Sequence, residues 1–274
     1  MTFSMHKKLW EASLSQKKNS NLAHFEKFLN QNFKFKGKYN FKKLLNWSIR
    51  KPNLFWSAVW DFSKVKGIKS ERYKKTKKFI DNKFLLNSKL NFSENLLSKA
   101  NNEKAVTFIS ENGFKEVRTW KELKNNTENL SNFFLSHKIS SNDRIAAYMP
   151  NQIETVECFL ATSAIGAIWS SCSPDFGTPG LIERFSQIKP KILILTDRYY
   201  YNGKEISIIE RLPDILKKIK SIKKVLIFSY PGKKLLNFKL KKKIKIFYKK
   251  DIPISNTNIF NYKKFDFEKD LAIL

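Results

Sequence analysis

The spacing of apolar positions changes character near residue 90. Before it, apolar side chains recur at helical intervals. In Asn21–Asn32 (NLAHFEKFLNQN), Leu22, Phe25, Phe28 and Leu29 form one stripe behind Asn21, a residue of the type that caps a helix start. The stretch 41–49 repeats the pattern with Phe41, Leu44, Leu45 and Trp47. Pro52 suits the first turn of a further helix, with Phe55, Val59 and Phe62 on one face and Trp56 and Trp60 beside it. This aromatic stripe reads as core packing rather than a cofactor box. Residues 63–78 are polar and Lys-rich, and predict a loop or an exposed helix.

After residue 91 short apolar runs alternate with longer amphipathic ones. FSENLLSKA predicts a short helix capped by Ser93. Residues 104–110 and 114–118 predict two strands around the turn Glu111-Asn112-Gly113. Thr119 and Glu122 have capping-box spacing, and open a helix to about His137 that buries Leu123, Leu130, Phe133 and Phe134. There follow a strand at 144–149, a helix capped by Asn151 to about Ile165, a strand at 167–171, and a loop from Ser173 to Gly180. A helix to Ile188, a strand at 191–196, a helix around 206–219 and a strand at 224–229 complete the run. Strands separated by helices of this length imply βαβ crossovers and a largely parallel, buried sheet. The predicted class is α/β: a helical, aromatic N-terminal extension (1–95), then an incomplete, largely parallel βαβ sheet domain (96–274). Ligands of such sheets sit at the carboxyl ends of the strands, here Met149-Pro150-Asn151, Ser171 to Phe176 and Thr196 to Lys204. Residues 231–265 are the least regular.

Composition narrows the function classes. With 274 residues and 42% hydrophobic content the chain can bury a real core. No apolar run approaches the roughly 20 residues that span a bilayer. The first 15 residues carry Glu11 and no signal-peptide core, which predicts a cytoplasmic protein. Cys158 and Cys172 build no disulfide framework and no CxxC metal site, and read as small buried side chains. The net charge of +29 raises nucleic acid or an anionic membrane as partners, but only seven of the 53 basic residues are arginine. Lys, Asn, Ile and Phe share A/T-rich codons, and base-reading surfaces favour Arg. The charge therefore reads as a solvated surface with no nucleic-acid partner. A basic non-enzymatic binding protein is the alternative of another class, and it predicts a steep salt dependence. The densest run, 239–250 (KLKKKIKIFYKK), fits an edge strand kept soluble by lysines.

Few residues suggest chemistry by themselves. His6, His24 and His137 are too dispersed for a metal site. Asp175 and Asp197 have no spacing that links them to acid–base work, and Asp175 reads as the cap of the turn after it. Glu183-Arg184 reads as a helix surface pair, and Ser170, Ser171 and Ser173 lack a nucleophile elbow. Of eight glycines only Gly177 and Gly180 lie within three residues of each other, so no phosphate-cradling loop is visible. No catalytic, ATP-binding or metal-binding residue is assigned.

Five segments carry a family resemblance: LWEAS (9–13), NWSIRKPNLFWSAVWDF (46–62), LNFSENLL (90–97), the block 144–191, and TDRYYYNGK (196–204). Together they resemble the N-terminal part of the adenylate-forming acyl-CoA synthetases. IGAIWSSCSPDFG (165–177) is similar to the acetoacetyl branch; the acetyl branch usually has histidine at the place of Trp169 and Gly-Gly-Phe at 174–176. The resemblance implies an acid–thiol ligase using ATP, Mg and CoA. A carboxylate, acetoacetate or another short acid such as acetate or propionate, forms an acyl adenylate that CoA thiolate then captures. It implies CoA contacts at Tyr201, Asn202, Gly203 and Lys204, where the acetyl branch has R-A-G-R, and at Ser173, Pro174 and Asp175. Lys204 keeps a cation for the 3′-phosphate, whereas Tyr201 replaces an arginine. In the family a Ser/Thr/Gly-rich phosphate loop follows a strand resembling DLAIL (270–274). The resemblance therefore implies a chain that stops before the catalytic machinery, is inactive alone, and associates through an exposed sheet edge.

Overall fold

The computed structural model describes residues 9–38, 40–238, 240, 244–254, 260–266 and 271. Most of the 239–243 lysine run, His6 and all of the closing DLAIL but Leu271 lie outside them. The chain divides into two compact units, Met1–Lys89 and Leu90–Leu274.

The first unit is built on helices α1 (Leu14–Lys18), α2 (Asn21–Asn32), α3 (Phe41–Arg50) and α4 (Pro52–Phe62). The cap of α2 is Ser20, not Asn21: the Ser20 hydroxyl accepts from the Ala23 amide at 3.2 Å, and Asn21 is already helical. Pro52 opens α4 as predicted. The aromatic stripe is core. Phe25, Leu29, Phe35, Leu44 and Ala58 are buried, with Phe28, Trp47, Phe55 and Phe62 packed on them. The Phe25 and Phe62 rings lie 5.0 Å apart. The polar stretch after α4 holds no exposed helix. Strand β1 (Arg72–Lys74) pairs antiparallel with β2 (Lys83–Leu86), a pairing its Lys-rich composition conceals.

The second unit opens with α5 (Phe92–Leu96), capped by Asn91, whose Oδ1 accepts from the Glu94 amide at 3.1 Å. Ser93, expected as the cap, is buried inside the helix and donates to the Leu160 carbonyl at 2.6 Å. The hairpin β3 (Lys104–Ile109) and β4 (Lys115–Thr119) turns at Gly113, whose φ of 79° favours glycine. The Thr119–Glu122 capping box then starts α6 (Trp120–Ser136).

Five parallel strands follow: β5 (Arg144–Tyr148), β6 (Ile168–Cys172), β7 (Ile192–Thr196), β10 (Lys224–Phe228) and β11 (Lys245–Tyr248). Their spatial order is β11-β10-β7-β5-β6. Alternate strand residues face opposite ways, so the sheet is apolar on both sides. Ala146, Leu193, Leu195 and Val225 pack with α8 (Thr178–Ile188) and α9 (Leu212–Lys218) through Leu181, Phe185, Leu212 and Ile215. Ile145, Ile192, Ile194 and Leu226 pack with α6 and with α7 (Ile153–Ala164) through Phe133, Phe134, Cys158 and Ala161. Both cysteines are free and buried, and burial raises both thiol pKa values, that of Cys158 strongly. Strand β11 is an edge, as the alternating lysines imply. At the other edge, β6, the Trp169 amide donates to the Leu271 carbonyl at 3.3 Å.

Two further elements depart from expectation. Helix α7 starts at Ile153 without a side-chain cap, so Asn151 does not cap it; the Pro150 carbonyl instead takes the Gln152 amide and the Thr155 hydroxyl at 2.8 and 2.7 Å. The helix expected around 206–219 is shorter. Residues Arg198–Tyr201 (β8) and Lys204–Ser207 (β9) form an antiparallel hairpin, and α9 begins only where Pro213 fixes its first turn.

Candidate functional site

The helices after β5 and β6 lie on opposite faces of the sheet, so the chain leaves these neighbouring strands in opposite directions. Sheets of this kind bind ligands at such a switch point, outside the carboxyl ends. Residues at these ends build the site in two parts.

The first part is the loop after β6. Ser173 Oγ donates to Asp175 Oδ2 at 2.8 Å, and the Asp175 amide returns to Ser173 Oγ at 3.4 Å. Asp175 thus closes its own turn and does not cap α8, whose cap position is Gly177. The loop is held from below by Tyr148, the last residue of β5. Its hydroxyl lies 2.7 Å from the Phe176 carbonyl and 3.1 Å from that of Pro174, and accepts from Arg211. Arg211 also donates to the Pro174 carbonyl at 3.2 Å. Burial raises the Tyr148 pKa against the opposing charge of Arg211, so the phenol stays protonated. Pro174 is buried, while Ser173 and Asp175 are exposed.

The second part is the β8–β9 hairpin, which projects from the end of β7. Tyr201 and Lys204 are register partners, joined by Asn202 and Gly203 at φ 51° and 73°. Two successive left-handed residues make the short turn that matches strand twist. All four side positions are exposed, and Lys204 makes no ion pair among the described residues. The amides of Asn202 and Gly203 donate to the two oxygens of Glu111 at 3.3 and 3.1 Å. The two parts meet at Tyr199 on β8. Burial and the nearby Asp175 charge raise the Tyr199 pKa, and the Arg211 charge opposes them.

Asp197 anchors the hairpin. Fully buried, it accepts from the Tyr230 and Leu236 amides, each at 2.9 Å, and from Arg198 at 3.1 Å. With both carboxylate oxygens engaged inside the fold, Asp197 is a structural tie rather than half of an acid–base pair with Asp175. Glu183 and Arg184 are exposed without a mutual salt bridge among the described residues; Arg184 lies 4.5 Å over the Phe176 ring. His24 is exposed, and the His137 ring packs on Phe133 and Phe247.

A separate ion network surrounds a cavity of about 280 Å³ lined by Asn126, Leu130, Glu157, Phe228 and Lys249. Glu157 accepts from Asn126 at 2.7 Å and from Arg118 at 3.3 Å; Glu154 accepts from Lys249 at 2.8 Å. Burial raises the Glu157 pKa, partly offset by Asn126 and reinforced by the Glu154 charge. Burial disfavours the Lys249 ammonium, yet Glu154 keeps its pKa above the ordinary value. The network joins α6, α7 and β4 to the turn after β11.

Tyr148, Arg211 and the Glu154–Glu157 pair were not singled out in the sequence, and Glu111 was read only as part of a hairpin turn. One signal did exist: arginine is rare here, and five of the seven make specific contacts. These are Arg118 with two glutamates, Arg144 with the Ile188 carbonyl, Arg184 on Phe176, Arg198 with Asp197 and Glu205, and Arg211 on Tyr148. A planar five-donor fork cannot be exchanged for an ammonium at such sites.

A parallel sheet covered by helices on both faces, with its loops gathered at the carboxyl ends, defines an α/β protein of the open-sheet class. The particular family follows from comparison with known proteins. Residues 95–258 match the AMP-binding enzyme family, to which the chain belongs. It is 39% identical to the acetoacetyl-coenzyme A synthetase of Rhizobium meliloti (strain 1021) over 175 residues, 64% of this chain and 27% of that protein. It is 36% identical to acetoacetyl-CoA synthetase of Xenopus tropicalis over 196 residues, 70% of this chain and 29% of that protein. The chain thus spans under a third of the length of the curated relatives it matches. The structure of acetoacetyl-CoA synthetase from Streptomyces lividans superposes with a TM-score of 0.87 at 22% identity, covering 98% of this chain and 41% of that one, and so shares its fold. No helix among the described residues is long and apolar enough to cross a membrane.

Proposed function

We propose that this chain supplies the CoA-facing part of a cytoplasmic, AMP-forming acid–thiol ligase that acts on acetoacetate. The 39% identity to the Rhizobium meliloti acetoacetyl-coenzyme A synthetase carries this reading. In the proposed reaction the acetoacetate carboxylate attacks the α-phosphate of Mg-ATP and releases pyrophosphate. CoA thiolate then attacks the acyl carbon and AMP leaves. Residues 1–95 form the helical extension and 96–274 the first part of the AMP-binding domain. The chain's glycines are too dispersed to cradle a triphosphate, so its own contribution lies with CoA. Tyr201, Asn202, Gly203 and Lys204 take the nucleotide end, and Ser173, Pro174 and Asp175 flank its adenine. An exposed hairpin tip with a phenol ring and an ammonium that has no ion-pair partner among the described residues fits a phosphate next to a purine.

Grafting tests the reading. The matched residues replace the corresponding 27% of the Rhizobium meliloti protein, and thioester formation is measured with acetoacetate, acetate and propionate. We expect acetoacetate to be preferred and Lys204→Ala to raise the KM for CoA about fivefold, with kcat little changed, through loss of one phosphate contact. A graft with native circular dichroism that makes no thioester from any of the three acids overturns the ligase reading. Preference for acetate or propionate replaces acetoacetate as the substrate.

A further inference from the structure

We propose that Glu111 is a built-in competitor for the CoA phosphate, and so a residue that sets CoA affinity. The inference rests on the CoA reading of the hairpin above.

The geometry is specific. Glu111 sits at the turn of the β3–β4 hairpin, more than 90 residues before the turn it contacts. Its Oε1 takes the Asn202 amide at 3.3 Å and its Oε2 the Gly203 amide at 3.1 Å, one oxygen to each donor. A carboxylate held by two turn amides occupies the position that a phosphate oxygen pair would take, because successive backbone N–H groups in a turn form an anion site. Lys204, the next residue, carries an exposed ammonium that has no ion-pair partner among the described residues.

The contact is supported from both sides. The β3–β4 turn is closed by Ser110 and Phe114, with the Ser110 amide donating to the Phe114 carbonyl at 2.9 Å. The Phe114 ring packs directly on Gly232, where an added Cβ would lie 2.6 Å from the ring. Tyr230 bridges the hairpins, its ring 6.1 Å from that of Phe108 on β3 and 5.1 Å from that of Tyr200 on β8. Glu111 is therefore delivered to the turn by a packed element. An incoming phosphate must displace its carboxylate or bind beside it against like-charge repulsion. Neutralising Glu111 removes that opposition, while the isosteric amide keeps one of the two turn bonds through its single carbonyl oxygen. Residues at exposed positions feel a screened field, so the gain is moderate: about three- to tenfold in affinity at low salt, shrinking as salt rises.

The test is calorimetric binding of adenosine 3′,5′-bisphosphate, the nucleotide end of CoA without its thiol arm, to the full 274-residue chain. The proteins are wild type, Glu111→Gln and Lys204→Ala, each at low and physiological ionic strength, with circular dichroism to verify folding. The expected result is tightening by Glu111→Gln that fades with salt, together with weakening by Lys204→Ala. If Lys204→Ala weakens binding but Glu111→Gln leaves it unchanged or weaker, the competitor role is wrong while the CoA reading stands. If the wild-type chain and Glu111→Gln both fail to bind, or bind independently of Lys204, the CoA reading itself falls.

Discussion

Removing the Asp197 carboxylate should cost the sheet unit a large part of its stability without touching the exposed hairpin tip. Asp197 is fully buried and ties three segments: Arg198 at the hairpin base, and the Tyr230 and Leu236 amides beyond β10. Asp197→Ala leaves two backbone N–H groups without their partner, each worth about 1–3 kcal/mol when buried. It also strips one carboxylate from Arg198, and breaking a buried ion pair costs about 3–5 kcal/mol. Arg198 keeps Glu205 at 2.9 Å and the Lys234 carbonyl at 2.7 Å, which offsets part of that loss. The terms overlap, so the expected total is about 3–4 kcal/mol. Because the chain has two units, a single melting curve mixes them. Amide exchange of the central strands β7 and β10, which open only with the sheet, isolates the relevant free energy. Asp197→Asn should cost less, since one oxygen still accepts, and the Ala variant combined with Arg198→Met should recover part of the loss. A loss below about 1 kcal/mol for Asp197→Ala would mean that water replaces the carboxylate, and the reasoning about buried acceptors at this site would be wrong.

Two further outcomes are expected. Thr119→Ala removes the capping box of α6, where the Thr119 hydroxyl accepts from the Glu122 amide at 3.2 Å, and should cost about 1 kcal/mol in urea denaturation; Thr119→Ser should restore most of it. Glu157 has a folded-state pKa raised by burial, so the native chain holds its proton where the unfolded chain has lost it. That contribution is fully present below the unfolded pKa and is lost as pH rises through the folded one. Glu157→Gln should flatten this fall in a pH series of denaturation midpoints, and an unchanged slope would show that Arg118 and Asn126 keep Glu157 ionised throughout.

Much of the architecture was legible because its determinants are local. The capping box at Thr119, the hairpin turn at Gly113, Pro52 at the start of α4 and the apolar strands β5, β7 and β10 were all read at or near their observed places. The misplaced caps of α2 and α5 share one cause, competition between neighbouring polar residues. Ser20 and Asn91 took the cap positions assigned to Asn21 and Ser93 because their side chains turn back to the helix, whereas at Gln152, in the place assigned to Asn151, no side chain caps and the Pro150 carbonyl organises the start. Ser93 was already committed to the Leu160 carbonyl, 67 residues away. Only Ile206 and Ser207 of β9 fell inside the helix expected around 206–219, and β8 was read as part of the segment leaving the strand at 191–196, because RYYY has no alternation of apolar and polar residues to mark a strand.

The sequence by itself determined the class of fold, the order of the parallel strands and the helices between them, and the segments that reach the carboxyl ends of the sheet, since period, caps and turns act over a few residues. The tertiary structure decided what those ends do to one another. Asp197 reaches the amide of residue 230 across 33 positions and that of residue 236 across 39, and Glu111 meets the Asn202 amide across 91. Such encounters leave no local signature. They follow from which strands the crossovers make neighbours, and only there does a carboxylate become a structural tie in one case and the acceptor of two turn amides in the other.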